Sequence, residues 1–309
     1  MALTFTSPGN VTVRKDTHRG RANNELMTES PLIPETAQLS RTALRVEDLE
    51  AMIDFYRDVV GLTVLTRRDA AATLGVDETP LLVLEQTADT SPRGRAQAGL
   101  FHIAFKLPSR TALGAALERI RERWQLEGAS DHYVSEAVYL TDPEDNGVEI
   151  YTDQPRETWP RADDGTIELG TVPLALDDVA SQSDGSETAP SGTTIGHVHL
   201  EATSLEAARE FYVDTLGLTV QTEARSALFF AAGDYHHHLG VNTWHGRSQP
   251  AGGRGLAWFE FVVADDETLT TVRRRLEDAA IAVDARDEGI EISDPDGIAI
   301  RMRADDRQS

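Results

Sequence analysis

The apolar positions of this chain change period several times, and the changes themselves recur. Leu44 and Val46 alternate with polar residues, as a half-buried strand requires. From Leu49 the spacing lengthens. Leu49, Met52, Ile53, Tyr56 and Val60 fall on one helical face, and Gly61 supplies a stop just past its end. Val64 and the run 81–84 return to strand character. His102-Ile-Ala-Phe105 predicts a new strand and Ser109 the cap of a new helix, with Leu113, Leu117, Ile120 and Trp124 as its buried stripe. Strands are then predicted at 138–140 and 148–151, either side of a reverse turn over 142–146 that opens with Asp142-Pro143.

The same order of elements occurs twice. Leu49-Glu-Ala-Met-Ile-Asp-Phe-Tyr-Arg-Asp-Val-Val-Gly-Leu-Thr-Val64 returns as Leu205-Glu-Ala-Ala-Arg-Glu-Phe-Tyr-Val-Asp-Thr-Leu-Gly-Leu-Thr-Val220. Gly99-Leu100 returns as Gly255-Leu256, and Asp142-Pro143 as Asp294-Pro295. The chain is a tandem duplication, and each copy divides again into two strand-helix-strands units. Four βαβββ units are expected, at roughly 40–87, 98–153, 194–244 and 254–303, in an α+β fold with mostly antiparallel sheets. The division expected is an N-terminal extension, disordered or mis-assigned, at 1–37, a first domain at 38–153, a linker rich in Pro, Asp, Ser, Gly and Thr at 154–193, and a second domain at 194–304. Within the extension, Met27-Thr-Glu-Ser-Pro reads as a natural start. Residues 1–26 carry a net charge of +2 and no amphipathic period, which disfavours organelle targeting.

Composition narrows the function. With 309 residues, 40% of them hydrophobic, the chain can bury a sizeable core. No apolar run approaches a membrane span and no secretory segment opens the chain, so the expected setting is cytoplasmic. Cysteine is absent, which removes disulfides and thiolate ligands. Acidic residues outnumber basic ones 52 to 29, and only Lys15 and Lys106 are lysines. Such a surface repels phosphate backbones and excludes nucleic acid as a partner. It also points to a halophilic protein, stable where salt screens self-repulsion. The expected result is a melting temperature that falls in dilute buffer, where the Debye length reaches about 30 Å, and recovers at molar salt. A melting temperature flat from about 0.05 M to about 2 M KCl, concentrations that bracket the screening range, rejects that reading.

The candidate chemistry lies on three predicted strands. His102, Glu149 and His197 offer two imidazoles and one carboxylate, the donor set of the facial triad used by non-haem Fe(II) oxygenases. His199 shares a strand face with His197 but lies nearly 7 Å along it, so it reads as a pocket group. The cluster His236-His237-His238 reads as functional, beside the predicted metal site, over a plain polar strand start, and strand alternation puts 236 and 238 on one face and 237 on the other. Asn242 and Trp244 come next as candidates for substrate contact, and Glu85 as a solvated strand end.

The paired units, with Phe-Tyr late in the helix and Gly-Leu after it, resemble the vicinal-oxygen-chelate superfamily of glyoxalase I, bleomycin-resistance proteins and type I extradiol dioxygenases. The resemblance spans 40–303 and implies that two βαβββ units pair into a cup around a metal. The site residues are most similar to catechol 2,3-dioxygenase-type enzymes. Phe101-His102 and Gly196-His197 resemble the strands carrying the ligand histidines. The segment from Tyr139 to Glu149 resembles the one carrying a tyrosine and the ligand glutamate. His237 resembles the acid–base histidine, although strand geometry leaves His238 open. His132 resembles a further pocket histidine.

The resemblance implies a ring-cleaving dioxygenase that takes a small dihydroxy-aromatic and O2, uses Fe(II) or Mn(II), and is free to form a homo-oligomer. A neutral His237 or His238 would take a phenolic proton, and Tyr139 and His132 would hydrogen-bond the substrate oxygen. The alternatives are a glyoxalase-like isomerase or lyase with a fourth ligand at His238, and a non-catalytic binding or resistance protein. One departure matters. The fourth unit has Trp258 where the second has His102 and no carboxylate matching Glu149, and the first has Arg41 where the third has His197. A single site then requires units two and three to share a cup, within one chain or across a dimer interface.

Overall fold

A computed structural model describes residues 33–87, 91–163 and 165–305. Four βαβββ units are present. The first comprises β1 (Gln38–Val46), α1 (Leu49–Phe55), β2 (Thr63–Arg68), β3 (Ala71–Val76) and β4 (Thr79–Gln86). The second comprises β5 (Gly99–Leu107), α2 (Arg110–Arg123), β6 (Gly128–Asp131), β7 (Ser135–Thr141) and β8 (Gly147–Asp153). After α3 (Leu176–Ala180), the third comprises β9 (Thr194–Glu201), α4 (Leu205–Arg209), β10 (Thr219–Ala224), β11 (Ala227–Ala231) and β12 (Leu239–Asn242). The fourth comprises β13 (Gly255–Val263), α5 (Asp266–Asp278), β14 (Asp284–Arg286), β15 (Gly289–Ser293) and β16 (Ala299–Ala304).

The helix of each βαβββ unit begins where the sequence offers a cap. Asp48, Ser109, Ser204 and Asp265 each accept from the backbone N–H three residues on. α1 runs on as a π-helical turn over Tyr56–Val60, and α4 likewise over Glu210–Thr215. Gly61 ends the first at φ 92°, a left-handed conformation that glycine adopts without penalty. A side chain there would also strike the Ala189 N and the Arg119 guanidinium at under 3 Å. The stripe of α2 is buried at Leu113, Leu117 and Ile120 but not at Trp124. The helix ends at Arg123, so the extended backbone of Trp124 carries its ring off the helical face. The indole N–H reaches the Thr141 carbonyl at 2.8 Å and the ring leans edge-on against Phe55.

In every unit the first and last strands lie parallel and side by side, which leaves one edge of the first strand to be filled. β1 fills it with β13, and β5 with β9, both antiparallel. Two eight-stranded sheets result, one from units one and four and one from units two and three. The contiguous halves of the sequence are therefore not the sheets. All four first strands are mostly buried along their length, so local pattern cannot choose among partners. The two units of each contiguous half are instead tied by their motifs. Tyr56 of the Phe-Tyr pair donates to Asp142 of the next unit's Asp-Pro turn at 3.0 Å, and Tyr212 donates to Asp294 at 2.9 Å. Burial pushes both aspartates up to about 6.

Residues 1–32 of the expected N-terminal extension lie outside the described residues. Residues 33–37, assigned to it from the sequence, pack onto the fold instead. Ile33 is buried and its N–H meets the Leu216 carbonyl at 2.9 Å. The segment assigned as a linker also packs, because it carries enough apolar side chains to be held. Trp159, Ile167, Val179 and Ala189 are buried, and Ala189 N donates to the Gly61 carbonyl.

Candidate metal centre

The register of the second sheet brings the three candidate ligands to one point. β9 runs beside β5 with His197 opposite Ala104, and β8 lies on the other side with Glu149 beside the same alanine. His102 stands two residues along β5 on the same face. The methyl of Ala104 leaves open the space into which the neighbours reach. His102 Nε2 lies 3.0 Å from Glu149 Oε2, and His197 Nε2 lies 3.1 Å from the same oxygen. The two Nε2 atoms are 3.2 Å apart. All three side chains are buried.

This triangle suits a cation better than it suits hydrogen bonds. If both Nε2 atoms carry protons for the carboxylate, they face each other as two donors. If only one does, the other sets a lone pair against Glu149. An octahedral ion with ligands at about 2.1 Å places neighbouring donors about 3.0 Å apart, and it uses all three lone pairs. Protonation favours the same occupant. Burial pushes His197 down to about 4 against the pull of Glu149, so its ring is neutral at pH 7. Burial alone would raise the Glu149 carboxyl, but the two imidazoles that face its Oε2 hold it well below the usual carboxylate range. Among the described residues, these three form the only group of His, Asp and Glu side chains spaced to hold an ion.

Around this point lie most of the other expected residues. Tyr139 sits directly across β7 and β8 from Glu149, and its hydroxyl is 2.7 Å from His132 Nε2. The Gly170 carbonyl, which only accepts, meets His132 Nδ1 at 2.7 Å, so that nitrogen carries a proton. His199 is buried with its ring 4.9 Å from His102, and its Nε2 has no partner among the described residues. Burial holds the His199 ring well below its ordinary range. Trp244 stands half exposed at the mouth, 5.2 Å from His199. Asn242 is fully buried. Its Oδ1 accepts from the Trp244 N–H, and its Nδ2 has no partner among the described residues.

The histidine cluster is a correction. Residues 235–238 belong to the loop between β11 and β12, not to a strand, because Gly233 turns the chain at φ 69°. The sides still alternate. His237 packs its ring 4.2 Å from that of His197, inside the cup. His236 and His238 flank Tyr235, at 4.1 and 5.0 Å. His238 Nδ1 accepts from Ala232 N, and the ring lines a separate hollow with Lys106, Arg156 and Tyr235. His238 is therefore not beside the triad.

Several neighbours escaped the sequence reading. Phe101 and Phe229 flank His199 at 5.1 and 5.7 Å and complete an aromatic wall with Trp244 and His237. No local pattern marks them, because Phe101 reaches the cup through an irregularity in the register of β5. Glu201 continues the row of His197 and His199, a step that period-two spacing could have found. It is buried and held by Arg93, Arg247 and His245.

The other sheet has the same cup, but it is filled. Arg41 forks onto Glu260 at 2.9 and 2.7 Å, and Arg303 adds a third contact at 3.0 Å. Arg301 lies over the Trp258 ring at 3.9 Å, and the Trp258 N–H reaches Glu85 at 3.3 Å. Glu85 is thus a partner in this plug, where the sequence suggested a solvated strand end. Guanidinium groups where imidazoles would be needed make it no place for a cation. Metal analysis of the purified chain is expected to approach one ion per chain, and two tightly held ions would show that this second cup is a working site.

Comparison with known proteins agrees with the architecture. A catechol-2,3-dioxygenase of Bacillus subtilis (strain 168) is 37% identical over 273 residues, covering 85% of this chain and 95% of that protein. A solved structure from Bacillus subtilis subsp. subtilis str. 168, provisionally described as a dioxygenase, superposes with a TM-score of 0.63 at 14% identity, covering 90% of this chain and 87% of its own. Glyoxalase I from Zea mays superposes at 0.54 and 15% identity, covering 86% and 92%. These two likenesses speak for the fold alone. The model of one family matches residues 38–150 and again 194–302, the two copies that the internal repeat marks out. With both copies matched and a near full-length relative beside them, the chain belongs to the Glyoxalase/Bleomycin resistance protein/Dioxygenase superfamily.

Proposed function

We propose that this chain is an extradiol ring-cleaving dioxygenase acting on a catechol or a related dihydroxy-aromatic with O2. The observation that carries the reading is the convergence of two imidazoles and one carboxylate on a point walled by aromatic rings. The naming of the 37% identical relative supports the same chemistry. His102, Glu149 and His197 would hold Fe(II) or Mn(II). Bound there, the metal supplies Lewis acidity toward the substrate oxygens and redox chemistry toward O2. His237 accepts the remaining phenolic proton and later returns it. Tyr139, backed by His132, hydrogen-bonds a substrate oxygen beside Glu149. Phe101, His199, Phe229 and Trp244 sandwich the flat ring, and Asn242 offers its amide. The setting is cytoplasmic, with a small aromatic diffusing into the cup.

The test is anaerobic reconstitution with Fe(II), then O2 uptake and product analysis over a panel of catechols. Expected are one O2 consumed per catechol and a product opened beside, not between, the hydroxyls. An iron-loaded chain that consumes no O2 with any catechol overturns the reading and leaves the glyoxalase-like and non-catalytic alternatives.

A further inference from the structure

We infer that Asp153 and His236 fix the tautomer of His237, holding its proton on Nδ1 and leaving Nε2 as a free acceptor. The consequence for turnover rests on the functional reading above; the tautomer itself does not.

Geometry and burial together allow one consistent placement of hydrogens. His236 is fully buried, with Nε2 3.0 Å from Asp153 Oδ1. Asp153 is the last residue of β8, the strand that carries Glu149. Its carboxylate has two other neighbours to satisfy it. Lys106 Nζ lies 3.5 Å away. Tyr235 places its hydroxyl 3.2 Å from both oxygens, and Tyr151 places its hydroxyl 2.7 Å from that of Tyr235. Tyr235 therefore donates to Asp153 and accepts from Tyr151. Gly196 makes this possible, because a side chain there would collide with the Tyr151 hydroxyl. Burial tends to raise the Asp153 carboxyl, but the hydrogen bond from His236, the Lys106 charge and the hydrogen bond from Tyr235 hold it below its ordinary range. An ionised carboxylate only accepts, so His236 carries its proton on Nε2.

The second nitrogen is decided by the first. Burial pushes the His236 ring below its ordinary range despite Asp153, which keeps a second proton off the ring. His236 Nδ1 is then a lone pair, and it lies 2.8 Å from His237 Nδ1. Two lone pairs facing each other at that distance repel, so the hydrogen between them belongs to His237. The opposite assignment would set the bare Nε2 of His236 against a carboxylate. Asp153, His236 and His237 thus form a carboxylate–imidazole–imidazole series. Its far end is a ring packed against His197 and Phe229. Asp153 and His236 are positioning residues here. They touch neither substrate nor metal, and they act by deciding which face of His237 can accept a proton.

The full chain, labelled with 15N-histidine, tests this in the metal-free state and again with Zn(II) bound. Long-range 1H–15N spectra read the protonated nitrogen of each ring, with assignments from His236→Gln and His237→Gln. Expected are Nε2–H at His236 and Nδ1–H at His237. A His236 ring protonated on Nδ1 or on both nitrogens, or a His237 ring protonated on Nε2, overturns the inference. Asp153→Asn is expected to mix the tautomers at His237, to leave metal content unchanged, and to lower kcat by about 10–100-fold with little change in KM. An unchanged His237 tautomer in that variant overturns it too. If no catechol is cleaved, the spectra still decide the tautomer, and only the functional reading falls.

Discussion

Replacing Glu149 with alanine is expected to strip the purified chain of metal, lowering affinity by at least about 100-fold, or about 2.8 kcal/mol. Glu149 is the one anion among the three donors, and its Oε2 is the atom that both imidazoles face, at 3.0 and 3.1 Å. Two neutral rings do not balance a divalent charge in a buried setting. The measurement is metal per chain after exhaustive dialysis against micromolar Fe(II), with circular dichroism to show that the fold is retained. Glu149→Gln keeps the shape and discards the charge, so it should lose metal nearly as well. Without metal, Glu149→Gln should melt no lower than the native chain, because a buried carboxylate among imidazoles is held for function at a cost in stability. Full metal retention by Glu149→Ala would sink the ligand assignment.

The second large effect separates two adjacent residues. His237→Ala should keep its metal and lose about 10²–10⁴-fold in turnover, the usual contribution of a general acid–base group. His238→Ala should keep both metal and most of its turnover. The two side chains differ in where the loop sends them. The first packs on His197 within the cup, while the second binds the Ala232 N–H beside the hollow lined by Lys106 and Arg156. Burial pushes both rings below their ordinary range, His237 well below it and His238 down to about 3, so location and not basicity tells them apart. Steady-state rates on iron-loaded variants settle the matter. A reversed pattern would move the acid–base role to His238, and metal loss from His238→Ala would favour the four-ligand, glyoxalase-like reading.

The repeating units were legible because each needs the same few residues to start, stop and turn. Ser109 as a cap, Gly61 as a stop and the paired Asp-Pro turns all report local backbone demands. The candidate ligands were legible by type for a related reason, since histidine and glutamate on apolar strands ask for a partner. The features that the sequence left open depend on contacts between distant strands. Nothing in the alternation of β1 tells it to join β13 rather than β5, and that choice decides whether the cup closes within one chain or across two. The wall of Phe101 and Phe229 was invisible because an irregular register turns Phe101 toward the cup. Asp153 carries no local mark, because the partner that gives it a role, His236, lies 83 positions later.

The pairing of outer and inner units also sets a timetable for synthesis. His102 must wait for His197, 95 positions later, whereas Arg41 on β1 must wait for Glu260, 219 positions later. At ribosomal speeds of about 5–20 residues per second, the inner sheet can close within about 5–20 s while β1 stands with one bare edge for about 10–40 s. An unpaired apolar strand invites pairing with other chains, so the first strand made is the one most in need of a chaperone. The cup that would hold the metal forms from the middle of the chain and can be complete before the ends meet. Loss of the final strands should then yield an aggregating chain that still captures metal.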